Sequence, residues 1–379
     1  MDKTRISSLQ FFSLMVLFQM GTALVVNVGI LAGRDAWLAI LVGMAAGSLL
    51  FAVYANLNKL FPDMQPTSYC KVLLGKYLGT AVGIAYVVFF LHKASRDLMD
   101  GGLLVLASAL KETPLMIINL LMILTVAYAL HKGVEVLART AFIFLIVVMV
   151  IGAFIVLVVF FSDIMNLNRL RPILGGGVRD VFVSVYRQNY QFPFAEVICF
   201  VTVMPSLSNK KGGVKAGYLA ILLSGLTLSG AIASTIAVLG VDITERSVFP
   251  LLTMIGKASI ADFIQRTDIL VVMILIIGVF FKISLFYYAA VIGMSDIFKI
   301  PYRKLLYPVA VVILLFSLMI SRSFSDHLTK GGEVLYRVDP VFFVVIPLIL
   351  FLAGFVYKFR LKRQGRSVAQ SREGDRNPN

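Results

Sequence analysis

Charge is what this chain has least of. Only 15% of its 379 residues are Asp, Glu, Lys or Arg, while 59% are apolar. A soluble domain carries about 25% charged and about 45–50% apolar residues. So sparse a charge cannot wet a globular surface, which excludes a soluble enzyme and, despite a net charge of +15, a nucleic-acid binder. Cysteine is almost absent. Cys70 and Cys199 cannot build a disulfide framework, and neither has a second Cys or a His at metal-ligand spacing, so no metal site is expected. Histidine is equally scarce: His92, His131 and His327 fall on different spans or loops. With no GxSxG, HExxH or Gly-rich phosphate loop, neither catalysis nor a cofactor is expected.

Long apolar runs are what remains, and the mean hydropathy of +0.91 marks an integral membrane protein. A helix crossing the bilayer needs about 20 mostly apolar residues. That ruler predicts ten spans, at 9–31, 36–58, 78–107, 114–131, 139–161, 180–204, 216–240, 268–295, 304–321 and 340–358. The first run has no early small-residue cleavage site and reads as a retained helix. Lysine and arginine concentrate in one set of loops, with Lys59, Lys71, Lys76, Lys132, Lys210 and Lys299 among them, and in the tail after Tyr357. This bias places both termini in the cytoplasm. Residues 1–363 read as the membrane domain and 364–379 as a basic, disordered cytoplasmic tail. Of the two long outer connections, 162–179 reads as loop, and 241–267 is long enough for a short surface helix around Pro250–Phe263. Ten spans divide into halves 9–161 and 180–358. Five spans per half force opposite orientations, the inverted repeat of many secondary transporters. The expected fold is therefore all-α.

A charge in the hydrocarbon costs at least about 2.5–3.5 kcal/mol on insertion scales, so each needs a partner, a cavity or a task. Gly21, Lys93, Pro193 and Lys282 each lie about 12–15 residues into their spans, roughly 18–23 Å from the helix starts, so all four fall near the midplane. Gly21 weakens the first span, and Thr22 can bond freed backbone groups; close packing through small residues is the other reading. In Phe192-Pro193-Phe194-Ala195-Glu196 the proline removes a donor and kinks the helix. A simple kink needs no acid, so Glu196 favours a functional reading. In span three Lys93/Asp97 and Arg96/Asp100 are spaced to neutralise each other along one helix. Lys282 has no acid within a turn, and Glu196 is expected to approach Lys282 or Lys93. Phe286, one turn beyond Lys282, would wall the pocket or simply pack.

Several segments together resemble the endospore germination permease family, the B subunits of nutrient germinant receptors within the amino acid–polyamine–organocation superfamily. They are Ile6-Ser7-x-x-Gln10, Gly33-Arg34-Asp35-Ala36-Trp37, Leu74-Gly75-Lys76-x-Leu78-Gly79, Arg96-Asp97, Glu112-Thr113-Pro114, Gly133-x-Glu135-x-x-Ala138-Arg139, Leu170-Arg171-Pro172-x-Leu174 and Pro193-Phe194-x-Glu196. Only the tail lies outside the match. The resemblance implies a five-plus-five inverted repeat with broken helices 1 and 6. It also implies a substrate site including Gly21, Thr22, Lys93, Pro193, Phe194, Glu196, Lys282 and Phe286. Lys93, Asp97, Arg96, Asp100, Glu196 and Lys282 are the candidate ion pairs or proton sites, and two lysines leave room for an anionic ligand group. The implied function is to sense an amino acid or similar small nutrient in the inner spore membrane or cell membrane. The implied partners are a membrane A subunit and a lipoprotein C subunit, with lipid around the spans. A proton-coupled amino acid symporter would use the same pocket.

Overall fold

The computed structural model describes residues 5–257, 267–320 and 334–363. The basic tail, His327 and the end of the surface helix expected to reach Phe263 lie outside those residues. Among the described residues, eight helices are long and apolar enough to cross a membrane. The six of these that are named elements here are α2 (Ala36–Leu60), α4 (Lys76–Ser108), α5 (Leu115–Lys132), α6 (Val134–Phe161), α8 (Lys210–Leu239) and α12 (Tyr302–Met319). Two more are α11 (Thr267–Phe298) and the segment Val334–Leu361, whose regular part is α13 (Ile346–Arg363). The two remaining expected spans, 9–31 and 180–204, are not continuous helices, so a count of ten requires each broken segment to be one crossing.

The breaks have local causes. α1 (Ser8–Met20) starts on a capping box in which Ser7 and Gln10 satisfy each other's backbone N–H groups. It ends at Gly21, beyond which residues 21–29 form turns before a 3₁₀ helix over Ile30–Asp35. The sixth segment opens as α7 (Val178–Ser184), widens to a π-helix over Val185–Phe194, and restarts as a 3₁₀ helix over Ala195–Thr202. Phe192 has extended backbone angles (φ −109°, ψ 120°), the backbone that a residue before proline favours.

Both broken segments sit at the centre. Leu14 to Met20 of α1 are all buried, as is every residue of Ala195–Thr202, so neither has a lipid-facing stripe. Glycines admit them. A methyl group on Gly47 would lie 2.2 Å from Phe194 Cβ, and one on Gly43 would lie 2.7 Å from Asn189 Cβ, so α2 seats the π-helix on a small-residue face. Gly21 and Gly278 meet backbone to backbone: a methyl on Gly278 would lie 2.8 Å from Gly21 Cα. The two small-residue readings of Gly21 therefore coexist, since it both ends α1 and lets α11 cross it. Ile6 pairs with the strand-like end of the sixth segment, its N–H donating to Ser206 O (2.9 Å) and its C=O accepting from Ser208 N (3.0 Å).

Peripheral faces are apolar and open, as at Leu49, Leu121, Val150, Phe160 and Leu352, which suits contact with acyl chains. Hydropathy gave no hint of α3 (Pro66–Leu74), a short helix tucked against α4 where Gly79 passes the Cys70 and Lys71 backbone. The connection after α8 holds α9 (Val241–Arg246) and α10 (Pro250–Lys257), the latter where a surface helix was expected.

Candidate functional site

Five elements deliver ionic or hydroxyl groups to one buried line. α4 supplies Lys93 and Asp97, one turn apart. The break after α1 supplies Thr22, α11 supplies Lys282, and the restart of the sixth segment supplies Glu196. Asp339 comes from the residue before Pro340, at the start of the last long helix.

Glu196 is the hub. Its Oε1 lies 2.7 Å from Lys93 Nζ and its Oε2 lies 2.6 Å from Lys282 Nζ. Lys93 also binds Asp339 Oδ2 at 2.9 Å. Lys282 donates to Thr22 Oγ1 (2.8 Å), and that hydroxyl donates in turn to Asp97 Oδ1 (3.2 Å). The line therefore runs Asp97, Thr22, Lys282, Glu196, Lys93, Asp339. Lys282 and Asp339 are 0% exposed and Glu196 1%, so water supplies none of these partners at the centre. Glu196 lies in the first turn of its 3₁₀ helix, where the positive end of the backbone dipoles favours a carboxylate. Aromatic rings pad the cations: Lys282 Nζ is 4.1 Å from the Phe192 ring centre and Lys93 Nζ 5.5 Å from that of Phe343.

Beside this line is a cavity of about 200 Å³. Its polar lining is Lys93, Arg96, Asp97, Asp100, Gln188, Glu196 and Asp339, and its apolar lining is Val26, Phe192, Val334 and Leu335. An aromatic layer closes one side. Tyr86 donates to Phe342 O (2.8 Å), Tyr54 donates to Phe343 O (2.5 Å), and Phe89 stacks on Phe342 with ring centres 4.3 Å apart. Past that layer is a separate void of about 30 Å³ lined by Tyr54, Tyr86, Ile198 and Val201 among others.

The expected residues divide by location. Lys93, Arg96, Asp97, Asp100 and Glu196 line the cavity. Thr22 and Lys282 stand behind Glu196 in the ionic line. Gly21 and Pro193 shape the breaks. Phe194 is buried against Gly47, and Phe286 packs edge-on against Phe18 (ring centres 5.1 Å apart); neither lines the cavity. The α4 pairing expected between Lys93 and Asp97 is replaced, because Lys93 reaches across to acids on other elements. Asp339 is the residue the sequence reading missed. It stands one residue before the expected start of the tenth span, where a hydropathy window reads loop. An acid abutting Pro340 at a helix entry was the available signal.

A family model described as spore germination protein matches residues 5–325. Spore germination protein KB of Bacillus subtilis (strain 168) is 37% identical over 366 residues, covering 96% of this chain and 98% of that protein. Spore germination protein YndE of the same strain is 24% identical over 321 residues, covering 83% of this chain and 86% of its own. Spore germination protein XB of Bacillus anthracis is 23% identical over 257 residues, 67% of this chain and 70% of its own. Among solved structures, the nucleobase-cation-symport-1 family transporter Mhp1, closed with bromovinylhydantoin bound, superposes with a TM-score of 0.70 at 10% identity, covering 97% of this chain and 94% of Mhp1. MhsT in complex with L-phenylalanine gives 0.64 at 13%, covering 93% and 100%. The fold is thus the all-α inverted-repeat transporter architecture with its first and sixth helices broken.

Proposed function

Because this chain belongs to the spore germination permease family, we propose that it is the ligand-sensing B subunit of a spore nutrient germinant receptor. The nutrient is a small molecule, an amino acid in the first instance, and it binds in the cavity beside Glu196. A single observation carries the reading: the cavity lies where the breaks of the first and sixth segments meet and is lined by groups that hydrocarbon would otherwise exclude. Drug-sized ligands occupy roughly 300–1,000 Å³, so about 200 Å³ suits something smaller.

Occupancy acts by selecting one arrangement of the helices around the breaks, since a ligand shifts an equilibrium only through its differential affinity for the two states. The selected arrangement is passed to a larger membrane A subunit and a lipoprotein C subunit in the inner spore membrane. In this reading both termini face the core of the spore, a placement that the bias of Lys and Arg toward one set of loops supports. A second reading, proton-coupled symport of the same nutrient, draws support from the transporter fold and from the continuous line of exchangeable groups between Asp97 and Asp339.

Purified protein in liposomes, given labelled amino acids with and without a proton gradient, separates the two. Binding without sustained uptake is the expected result. Saturable, gradient-dependent accumulation would replace the sensor with a carrier. Loss of response to one nutrient in spores lacking this gene, with other responses intact, is the matching expectation in the organism.

A further inference from the structure

We propose that the molecule recognised in this cavity carries an ammonium group, held by Asp97 Oδ2 and Asp339 Oδ1. The inference rests on reading the cavity as the nutrient site and specifies the chemistry of its occupant. Asp97 and Asp339 both line the cavity, are 5% and 0% exposed, and each presents one carboxylate oxygen that has no hydrogen-bond partner among the described residues. Their other oxygens are engaged, Asp97 Oδ1 by Thr22 and Asp339 Oδ2 by Lys93. Two residues lining the same cavity thus each keep a buried acceptor that no donor among the described residues meets, a costly arrangement for a carboxyl oxygen.

Charge points the same way. The carboxylates of Asp97, Asp100, Glu196 and Asp339 line the cavity, while its cations are Lys93 and Arg96, with Lys282 behind. Among the described residues, carboxyl groups outnumber cations by one even when Lys282 is included. Both lysines are also committed, Lys93 to Glu196 and Asp339, and Lys282 to Glu196 and Thr22. Both are therefore engaged by the protein's own groups and are not the open anion site that two deep lysines suggest in sequence. An ammonium offers three donors and one positive charge, the chemical complement of unpartnered carboxyl oxygens and of that excess.

The test is thermal unfolding of the purified full chain in nanodiscs. The probes are the common amino acids, each matched with its 2-hydroxy acid and its carboxamide, together with D-glucose and inosine. An upward, saturable shift with an amino acid and its carboxamide, absent with the hydroxy acid, is expected. Asp97→Asn and Asp339→Asn should each weaken the responding probe about tenfold, the order set by one charge-assisted hydrogen bond. Stabilisation only by hydroxy acids, glucose or inosine would overturn the ammonium assignment while leaving the cavity as a nutrient site. Full retention of affinity in both Asn variants, eluting as folded protein, would overturn it as well. If an Asn variant fails to fold, the comparison of amine with hydroxyl on the native chain decides. No shift with any class would overturn both the assignment and the reading beneath it.

Discussion

Glu196 holds two ammonium groups, so removing its charge does more harm than removing either lysine. Glu196→Gln keeps a single carbonyl acceptor for two ammonium groups and removes the charge that offsets fully buried Lys282, and an uncompensated buried charge costs about 3–5 kcal/mol. Lys282→Met is milder, since Glu196 keeps Lys93 at 2.7 Å. The double variant should recover part of the loss, giving a coupling energy well away from zero. Unfolding midpoints of the three proteins in nanodiscs check the order; a Lys282→Met protein less stable than Glu196→Gln would refute it. The cysteines give a second residue-scale expectation. Burial in α3 pushes the Cys70 thiol up to about 12, so almost no thiolate forms at neutral pH, and Cys199 is wholly buried. Neither should react with a maleimide until detergent unfolds the chain, which mass spectrometry would show. The lysines and Glu196 were legible in the sequence because a charge in the middle of an apolar run is conspicuous at any register. Asp339 was not, because its neighbours on one side are polar and the run begins after it. Glu196 was expected to approach Lys282 or Lys93, because Lys282 has no acid within a turn; that it takes both, and that Lys93 also takes Asp339, depends on helix placement, which no spacing along α4 reveals.

At the scale of elements, the site depends on where α1 stops and how closely α11 approaches it. A methyl at Gly278 would meet Gly21 backbone atoms at 2.8 and 3.1 Å, and one at Gly21 would meet Gly278 O at 2.9 Å and Lys282 Cβ at 3.0 Å. Backbone cannot yield as a side-chain tip can. Gly278→Ala should therefore part α1 from α11, destabilise by about 1–3 kcal/mol as overpacking does, and pull Thr22 away from Lys282. Gly230→Ala in α8 is the control, since nothing lies within 4 Å of the added carbon and the helix gains about 0.5–1 kcal/mol in propensity. Opposite signs for the two variants in thermal unfolding are expected; equal losses would mean that the crossing is not tight. The long helices were legible to within a few residues because each is a single apolar run. The breaks were legible as positions, from Gly21 and Pro193, but not as shapes. Nothing in Val185–Phe194 announces a π-helix, whose extra residue per turn is fixed by packing on Gly43 and Gly47. α3 escaped notice because nine mixed residues fall below any membrane-length window, although Gln65-Pro66 is a plausible helix opening.

For the whole molecule, the question is which face the cavity answers to. α2 ends at Leu60, beside Lys59, and α8 starts at Lys210, whose ammonium pairs with Asp63 at 2.5 Å, so these basic loops share one end of the bundle. The aromatic layer of Tyr54, Tyr86, Phe89, Phe342 and Phe343 stands between that end and the cavity, with two hydroxyls tying α2 and α4 to the backbone entering α13. Gln188 and Val26 line the cavity and are not part of this layer. If the basic end is cytoplasmic, the side the loop charges favour, the site is shut toward the cytoplasm and addressed from outside. Single cysteines make this testable, because both native thiols are buried. Gln188→Cys should react with a membrane-impermeant maleimide added to the outside of right-side-out vesicles. Ile198→Cys, in the void past the aromatic layer, should stay silent from either side. Repeating the labelling with a saturating mixture of amino acids then bears on mechanism. A carrier must at some stage open the layer, so Ile198→Cys would gain reactivity from the cytoplasmic side as ligand is supplied. A sensor needs only a change of arrangement that its partners can read. Ligand should then alter the rate at Gln188→Cys, by covering it, and leave Ile198→Cys unreactive. Labelling of Gln188→Cys from the basic face alone would invert the orientation and, with it, the side to which the cavity opens.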